Sequence, residues 1–202
     1  MKARPILMSA PMVNALLSGA KSQTRRIVKP QATGKTCLYD PAIGFRFHGG
    51  PNLKCPYGQP GDLLWVKETW AIKDCGNRVS LNPDAWASGW PVNRLQYCAT
   101  DDPPQPDYWW NKRSSMFMPR WASRLTLELT DVRVERLKDI SEANACAEGF
   151  ASDGDESAKL WYAMLWDKIN GNGAWEQNPW VWALTFKMHQ QNVDAFLKVS
   201  TA

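Results

Sequence analysis

Long apolar runs are missing from this 202-residue chain. No stretch approaches the roughly 20 apolar residues that a membrane-spanning helix needs. The basic start "MKARPILMSAPMV" is followed by neither a long apolar segment nor a clear cleavage site, so a cytoplasmic protein with no membrane partner is expected. Histidine is scarce, with only His48 and His189, and no motif pairs them. The five cysteines (Cys37, Cys55, Cys75, Cys98, Cys146) are odd in number and form no CxxC pair. Reduced, mostly buried thiols are the expectation, with a zinc set from Cys37, Cys55 and Cys75 as the lesser alternative. Neither a metal nor a cofactor is expected.

Acid is nearly absent from the first 61 residues, which hold Asp40 against nine lysines and arginines. The other 141 residues carry 19 acids and 15 bases. Such asymmetry hints at nucleic acid, although a basic strand edge that blocks sheet pairing has the same signature. With 44% hydrophobic and 22% charged residues, the chain has enough apolar surface to offset its conformational entropy. Twelve tryptophans are the compositional excess. Most belong in a core, and some could stack on a flat ligand.

The pattern predicts an opening strand at Arg4–Met8. Ser9 and Pro11 begin a helix whose apolar face is Met12, Val13, Leu16, Leu17 and Ala20, and Gly19 ends it. Residues 27–58 read as irregular. "QPGD" at Gln59–Asp62 is a type II turn, with Pro60 and Gly61 at its centre. "LLWVKETW" then reads as a strand buried on both faces. Residues 73–119 form a long insertion with a short strand near Leu95–Ala99, a flap or small subdomain. In "RLTLELTDVRVERL" the apolar parity switches after Leu129, which implies a bulge near Thr130–Asp131. Ser141 caps a short helix ending at Glu148–Gly149. A second helix starts at Asp153 or Asp155, turns Leu160, Trp161, Met164, Leu165 and Ile169 inward, and stops at Asn170–Gly171. The last strand is "WVWALTFKM", and residues 189–202 read as a loose tail. Together these describe one α+β domain over residues 1–188. No repeat occurs, and oligomeric state leaves no trace in the pattern.

Lys21, Thr24, Arg25 and Arg26 crowd the exit of the first helix in "LLSGAKSQTRR". The order of this G-x-K-x-x-T-x-R element, "PGD" before a strand, "ACAEG" at Ala145–Gly149, a Trp-rich helix and a final strand resembles the ASCH family, closest to its longer phage and prophage members. The likeness spans roughly residues 4–30, 58–72 and 120–188. It implies a PUA-like small β-barrel with short helices at its rim. It also implies hydrolysis of the acetyl amide of N4-acetylcytidine or a related modified nucleoside. By resemblance, Thr24 would be the nucleophile, Lys21 the proton acceptor and Glu148 the proton donor. Other ASCH-like proteins bind RNA, so a non-catalytic RNA- or modified-base-binding module is the rival, and a ribonuclease ranks below it.

The residue chemistry fits the first reading. A threonine hydroxyl needs a base, and a lysine serves only with its pKa far below about 10.4. Repulsion from Arg25 and Arg26, with partial burial, would supply that shift. Arg25 or Arg26 could also hold an oxyanion or phosphate, and at least one of them is expected to be a plain surface arginine. Glu148 at a helix C-terminus would be held protonated by the dipole, against the plainer reading of an exposed helix-end acid. Residues three apart on a straight strand face opposite ways, so a turn is expected across Ala20–Gln23. Tyr57, Trp70, Trp121 and Arg120 complete the substrate-binding candidates, the aromatics by stacking on a base and Arg120 by reaching the pocket, although each aromatic is more often core than ligand wall.

Overall fold

The computed structural model describes residues 1–29, 31, 37–40, 44–47, 52–73, 95–101, 110–150 and 157–200. Strand β1 (Ala3–Leu7) leads into helix α1 (Ala10–Leu17), and β2 (Gln23–Ile27) follows. Next come three short strands, β3 (Cys37–Asp40), β4 (Gly44–Phe47) and β5 (Asn52–Leu53). Then follow β6 (Leu63–Lys67), β7 (Trp70–Lys73), β8 (Leu95–Tyr97), β9 (Trp110–Arg113) and the long β10 (Thr126–Arg136). The chain ends with helices α2 (Glu142–Ala147) and α3 (Ala158–Asn170), strand β11 (Trp180–His189) and helix α4 (Val193–Ser200). This is an α+β fold, and among the described residues no helix is long and apolar enough to cross a membrane.

The central sheet has the order β1-β6-β10-β11-β2, with β1 parallel to β6 and the other pairs antiparallel. Its inner face carries the main core. Ile6, Leu64, Val66, Leu127, Leu129, Trp182 and Leu184 pack there against Val13 and Leu16 of α1. The expected parity switch in β10 is a register shift between Leu129 and Asp131, which keeps both Leu129 and Val132 on that core. Strand β6 is buried on both faces, as its unbroken apolar run implies. Leu64 and Val66 face the main core, while Leu63 and Trp65 face a separate cluster.

That separate cluster contains Val193, so of the tail expected at 189–202 the described residues 189–200 are not loose. Asn192 accepts the Asp194 N–H at 2.9 Å, and Val193, Phe196 and Leu197 lie three and four apart, which gives α4 one apolar stripe to lay on Leu63 and Trp65. Residues 27–58 are likewise not wholly irregular. Strands β3, β4 and β5 pair antiparallel, and they dock by Phe47 beside Trp180 (5.5 Å) and Phe45 edge-on to Trp182 (5.6 Å). The insertion contributes a second small sheet, β8-β7-β9, over its own cluster of Trp70, Ile72, Met118 and Ala122.

Helix α3 differs from expectation in both start and face. Ser157 is its cap, accepting from the Leu160 N–H; Asp153 and Asp155 lie outside the described residues. Its buried stripe is Ala158, Tyr162 and Trp166, while Leu160 and Met164 are 64% and 68% exposed. Trp161 and Leu165 of the expected face pack half-buried beside that stripe, so the inward face is turned toward Tyr162 and Trp166 rather than exchanged.

The QPGD turn forms as read. The Asp62 N–H donates to the Gln59 carbonyl at 2.9 Å, and Gly61 takes φ +87°. The Asp62 carboxylate accepts from the Lys2 amide at 2.7 Å and from Arg4 Nη1 at 2.9 Å, tying β1 to the turn. Burial pushes the Asp62 pKa up, but bonds from Arg4, Lys2 and Gln59 outweigh this and leave it below the usual value. A carboxylate depressed in the fold stabilises above its unfolded pKa and loses that contribution as pH falls through its folded one. Asp62→Ala is expected to lower stability by about 1–3 kcal/mol near neutral pH. In denaturant titrations the gap from wild type should close as pH drops below about 4.

Candidate active site

The turn that ends α1 lies at Ser18–Gly19, earlier than Ala20–Gln23, and Gln23 is already strand. Between them the chain is held from both sides. The Lys21 N–H donates to the Ala15 carbonyl at 2.9 Å and the Ser22 N–H to the Ala147 carbonyl at 2.8 Å. Lys21 and Glu148 form an isolated antiparallel bridge. Gly149 makes that approach possible. It takes φ +106°, and a Cβ there would lie 2.9 Å from the Ala15 Cβ and 3.4 Å from the Lys21 Cβ. The glycine of "ACAEG" is thus fixed by backbone geometry.

Glu148 caps the C-terminus of α2 and is 3% exposed, so the reading of an exposed helix-end acid fails. Lys21 Nζ donates to Glu148 Oε2 and to the Glu148 carbonyl, each at 2.8 Å. Arg25 Nη1 donates to Glu148 Oε1 at 3.0 Å, while its Nε donates to Glu135 Oε1 of β10 at 2.8 Å. Arg26 Nη2 crosses to the Leu7 carbonyl of β1 at 2.6 Å. Arg25 is fully buried and Arg26 half-buried, so neither is a plain surface arginine. Among the described residues Arg26 makes no ion pair, whereas Arg25 is taken up by two carboxylates.

Lys21, Thr24, Arg25, Arg26 and Glu148 all line one cavity of about 200 Å³. That is small beside the roughly 300–1,000 Å³ of drug-sized pockets and suits a single base-sized group. The parity problem of Lys21 and Thr24 is solved by the sheet edge rather than by a turn. Strand β2 is an edge strand, and consecutive residues Thr24 to Ile27 all contact the cavity. A cavity wrapped around a free edge receives side chains from both faces. The opposite wall is Leu7 and Met8 at the end of β1, the sheet's other edge.

The Lys21 ammonium is disfavoured, and its pKa lies below the ordinary lysine value. Burial is the main cause; the Glu148 charge and hydrogen bond oppose it, and Arg26 and Arg25 add smaller downward pushes. Cationic crowding, expected to lead, comes last. Tyr162 of α3 also lines the cavity, beside Leu165 and Ile169 of the expected face, and the sequence reading missed it because that reading left Tyr162 off the inward face. Its phenol is pushed well above its usual pKa, first by burial and then by the Glu148 charge.

Four candidates stand apart from this cavity. Tyr57 packs against the main core beside the QPGD turn. Trp70 is 1% exposed inside the insertion's cluster, with Trp121 edge-on to it at 6.3 Å. Arg120 pairs with Asp194 of α4 at 2.7 Å. Side-chain type alone suggests all four; the fold buries Trp70 and places Trp121 and Arg120 away from the cavity. His189 lies against Glu128 (3.1 Å) and Phe196, also outside the cavity, and His48 is outside the described residues. Cys37 and Cys55 pack half-buried against the main core, and Cys75 is outside the described residues. Compared with protein-family models, curated proteins and solved structures, the chain matches none.

Gly149→Ala would force a left-handed backbone onto a residue with a Cβ and press it on Ala15. A loss of about 1–3 kcal/mol is expected in chemical denaturation.

Proposed function

We propose that this chain is an ASCH-like amidohydrolase that removes the acyl group from an N4-acylated cytidine or a related modified nucleoside. The observation that carries the reading is the cavity shared by Thr24, Lys21 and Glu148, with Lys21 Nζ 2.8 Å from the Glu148 carboxylate. The central sheet, whose two unpaired edge strands are bridged by the Arg26 bond to the Leu7 carbonyl, supports a PUA-like barrel.

In the first half-reaction, Thr24 Oγ1 bonds to the acyl carbon and its proton passes to neutral Lys21. The C–N bond breaks, and Glu148 gives its proton to the departing exocyclic amine. Lys21 is then charged and Glu148 ionised. In the second half, water attacks the acyl-threonine, Glu148 takes the water's proton, and Lys21 returns one to Thr24. Acylated amine and water become amine and carboxylic acid, and the pair ends as it began.

Neutral Lys21 with protonated Glu148 holds the same number of protons as the ion pair, and a 2.8 Å separation serves both arrangements. Desolvation therefore sets the balance between them. A base that fills the cavity expels water and favours the uncharged pair, the form that starts the reaction. Arg26, free of carboxylates among the described residues, is the cation available to meet the oxyanion.

Purified protein should release acetate from N4-acetylcytidine. Thr24→Ala leaves the buried ion pair intact and is expected to abolish turnover with an unchanged melting temperature. Lys21→Ala and Glu148→Gln should abolish it too, with lower stability: Glu148→Gln strands the buried Lys21 at about 3–5 kcal/mol, and Lys21→Ala costs less because Arg25 still pairs with Glu148. No turnover across a panel of acylated nucleosides by a folded wild type would overturn the reading.

A second reading is a base-binding module without chemistry. It is favoured by the Glu148 carboxylate, which already accepts from both Lys21 and Arg25. Salt separates the two. A module gripping RNA by several phosphates should lose affinity steeply as salt rises, whereas nucleoside hydrolysis should barely respond.

A further inference from the structure

Tyr162 has no role in the steps above, yet it is buried at the cavity wall. It is the middle residue of the Ala158–Tyr162–Trp166 stripe that docks α3. Its ring centroid lies 6.1 Å from that of Trp166 and 6.3 Å from that of Trp175, and the Arg25 guanidinium carbon is 6.0 Å from it. Tyr162 and Glu148 line the same cavity, and the Arg25 guanidinium beside the Tyr162 ring is the one bonded to Glu148 Oε1. Packing alone would be served by phenylalanine. A phenol in such a cluster brings a polar tip that needs a partner. Glu148 has room for it: Oε2 takes Lys21, Oε1 takes Arg25, and a carboxylate offers about four lone-pair sites.

We propose that Tyr162 is a positioning residue for the acid: its phenol donates to the Glu148 carboxylate and, with Arg25, holds the carboxyl facing Lys21 across the cavity. The contact stands on its own, and its kinetic effect rests on the amide-hydrolysis reading. The charged and titratable groups around Glu148 are Lys21 ahead of β2, Arg25 and Arg26 on β2, and Tyr162 on α3, with Glu135 of β10 behind Arg25. Tyr162 is the neutral donor of this set. Burial and the nearby carboxylate keep its proton in place through the pH range of the reaction.

Tyr162→Phe removes one oxygen and keeps the ring. A donor to a carboxylate favours its ionised form, so losing the donor lets the site protonate at higher pH. Activity against N4-acetylcytidine is expected to show an acid limb moved to higher pH, with KM unchanged. The same variant should lower kcat by about five- to tenfold, the loss that goes with one neutral hydrogen bond orienting the carboxyl. An acid limb that superimposes on wild type overturns the assignment, whether or not kcat falls, since lost packing alone would lower kcat.

A second readout needs no activity. With tyrosines labelled with carbon-13 at Cζ, the Tyr162 resonance, assigned by its loss in Tyr162→Phe, should titrate at lower pH in Glu148→Gln than in wild type. Should that variant not fold, Glu148→Asp withdraws the carboxylate by one methylene and serves instead. Coincident titrations overturn the contact. If the folded wild type hydrolyses no acylated nucleoside, the proposed function fails and this comparison alone decides the role of Tyr162.

Discussion

One buried contact, Lys21 to Glu148, organises this molecule. It joins residues 127 positions apart at 2.8 Å, one from the exit of the first helix and one from the end of a short helix behind the long strand. Two charged groups leave water to make it, and such a pair seldom adds net stability. The fold surrounds the pair with compensation. Backbone bonds from Lys21 and Ser22 clamp the strand entry, Gly149 lets the two chain segments close, and Arg25 ties the same carboxylate to Glu135 on the sheet. The helices α2 and α3 are thereby fixed over one edge of the sheet, and the cavity is the space left between them and that edge. The same burial that makes the pair costly also holds the amine below its usual basicity.

Much of the scaffold was legible because its signals are local. The parity switch at Thr130–Asp131 names a bulge with no knowledge of the partner strand. The alternation Trp180, Trp182, Leu184, Phe186 names the inner face of β11. Pro60–Gly61 names its turn, and Ser141 its cap, which accepts from the Asn144 N–H. The three residues assigned to chemistry share one cavity, although order along the chain says nothing about distance.

What was not legible depended on competition between distant segments. Helix α3 is apolar most of the way round, and only its packing against distant segments decides that Tyr162 and Trp166 are deepest while Leu160 and Met164 face out; the missed rotation concealed Tyr162 as a site residue. The meander of β3, β4 and β5 is built from strands too short to display a period, and it is held by Phe45 and Phe47 against tryptophans more than 130 residues away. Helix α4 did carry a signal in Asn192, Val193, Phe196 and Leu197, outweighed by its terminal place in the chain. The dominance of burial over neighbouring charge at Lys21 is a property of depth, which no sequence spacing reports.

Both margins of one sheet, the end of β1 and the whole of β2 from Thr24, border the cavity that α3 covers. Pulling paired strands from one another would break a ladder. Here β1 and β2 share no ladder, and the Arg26 bond to the Leu7 carbonyl spans them. The seam between these two margins is thus fastened by a side chain rather than by backbone pairing.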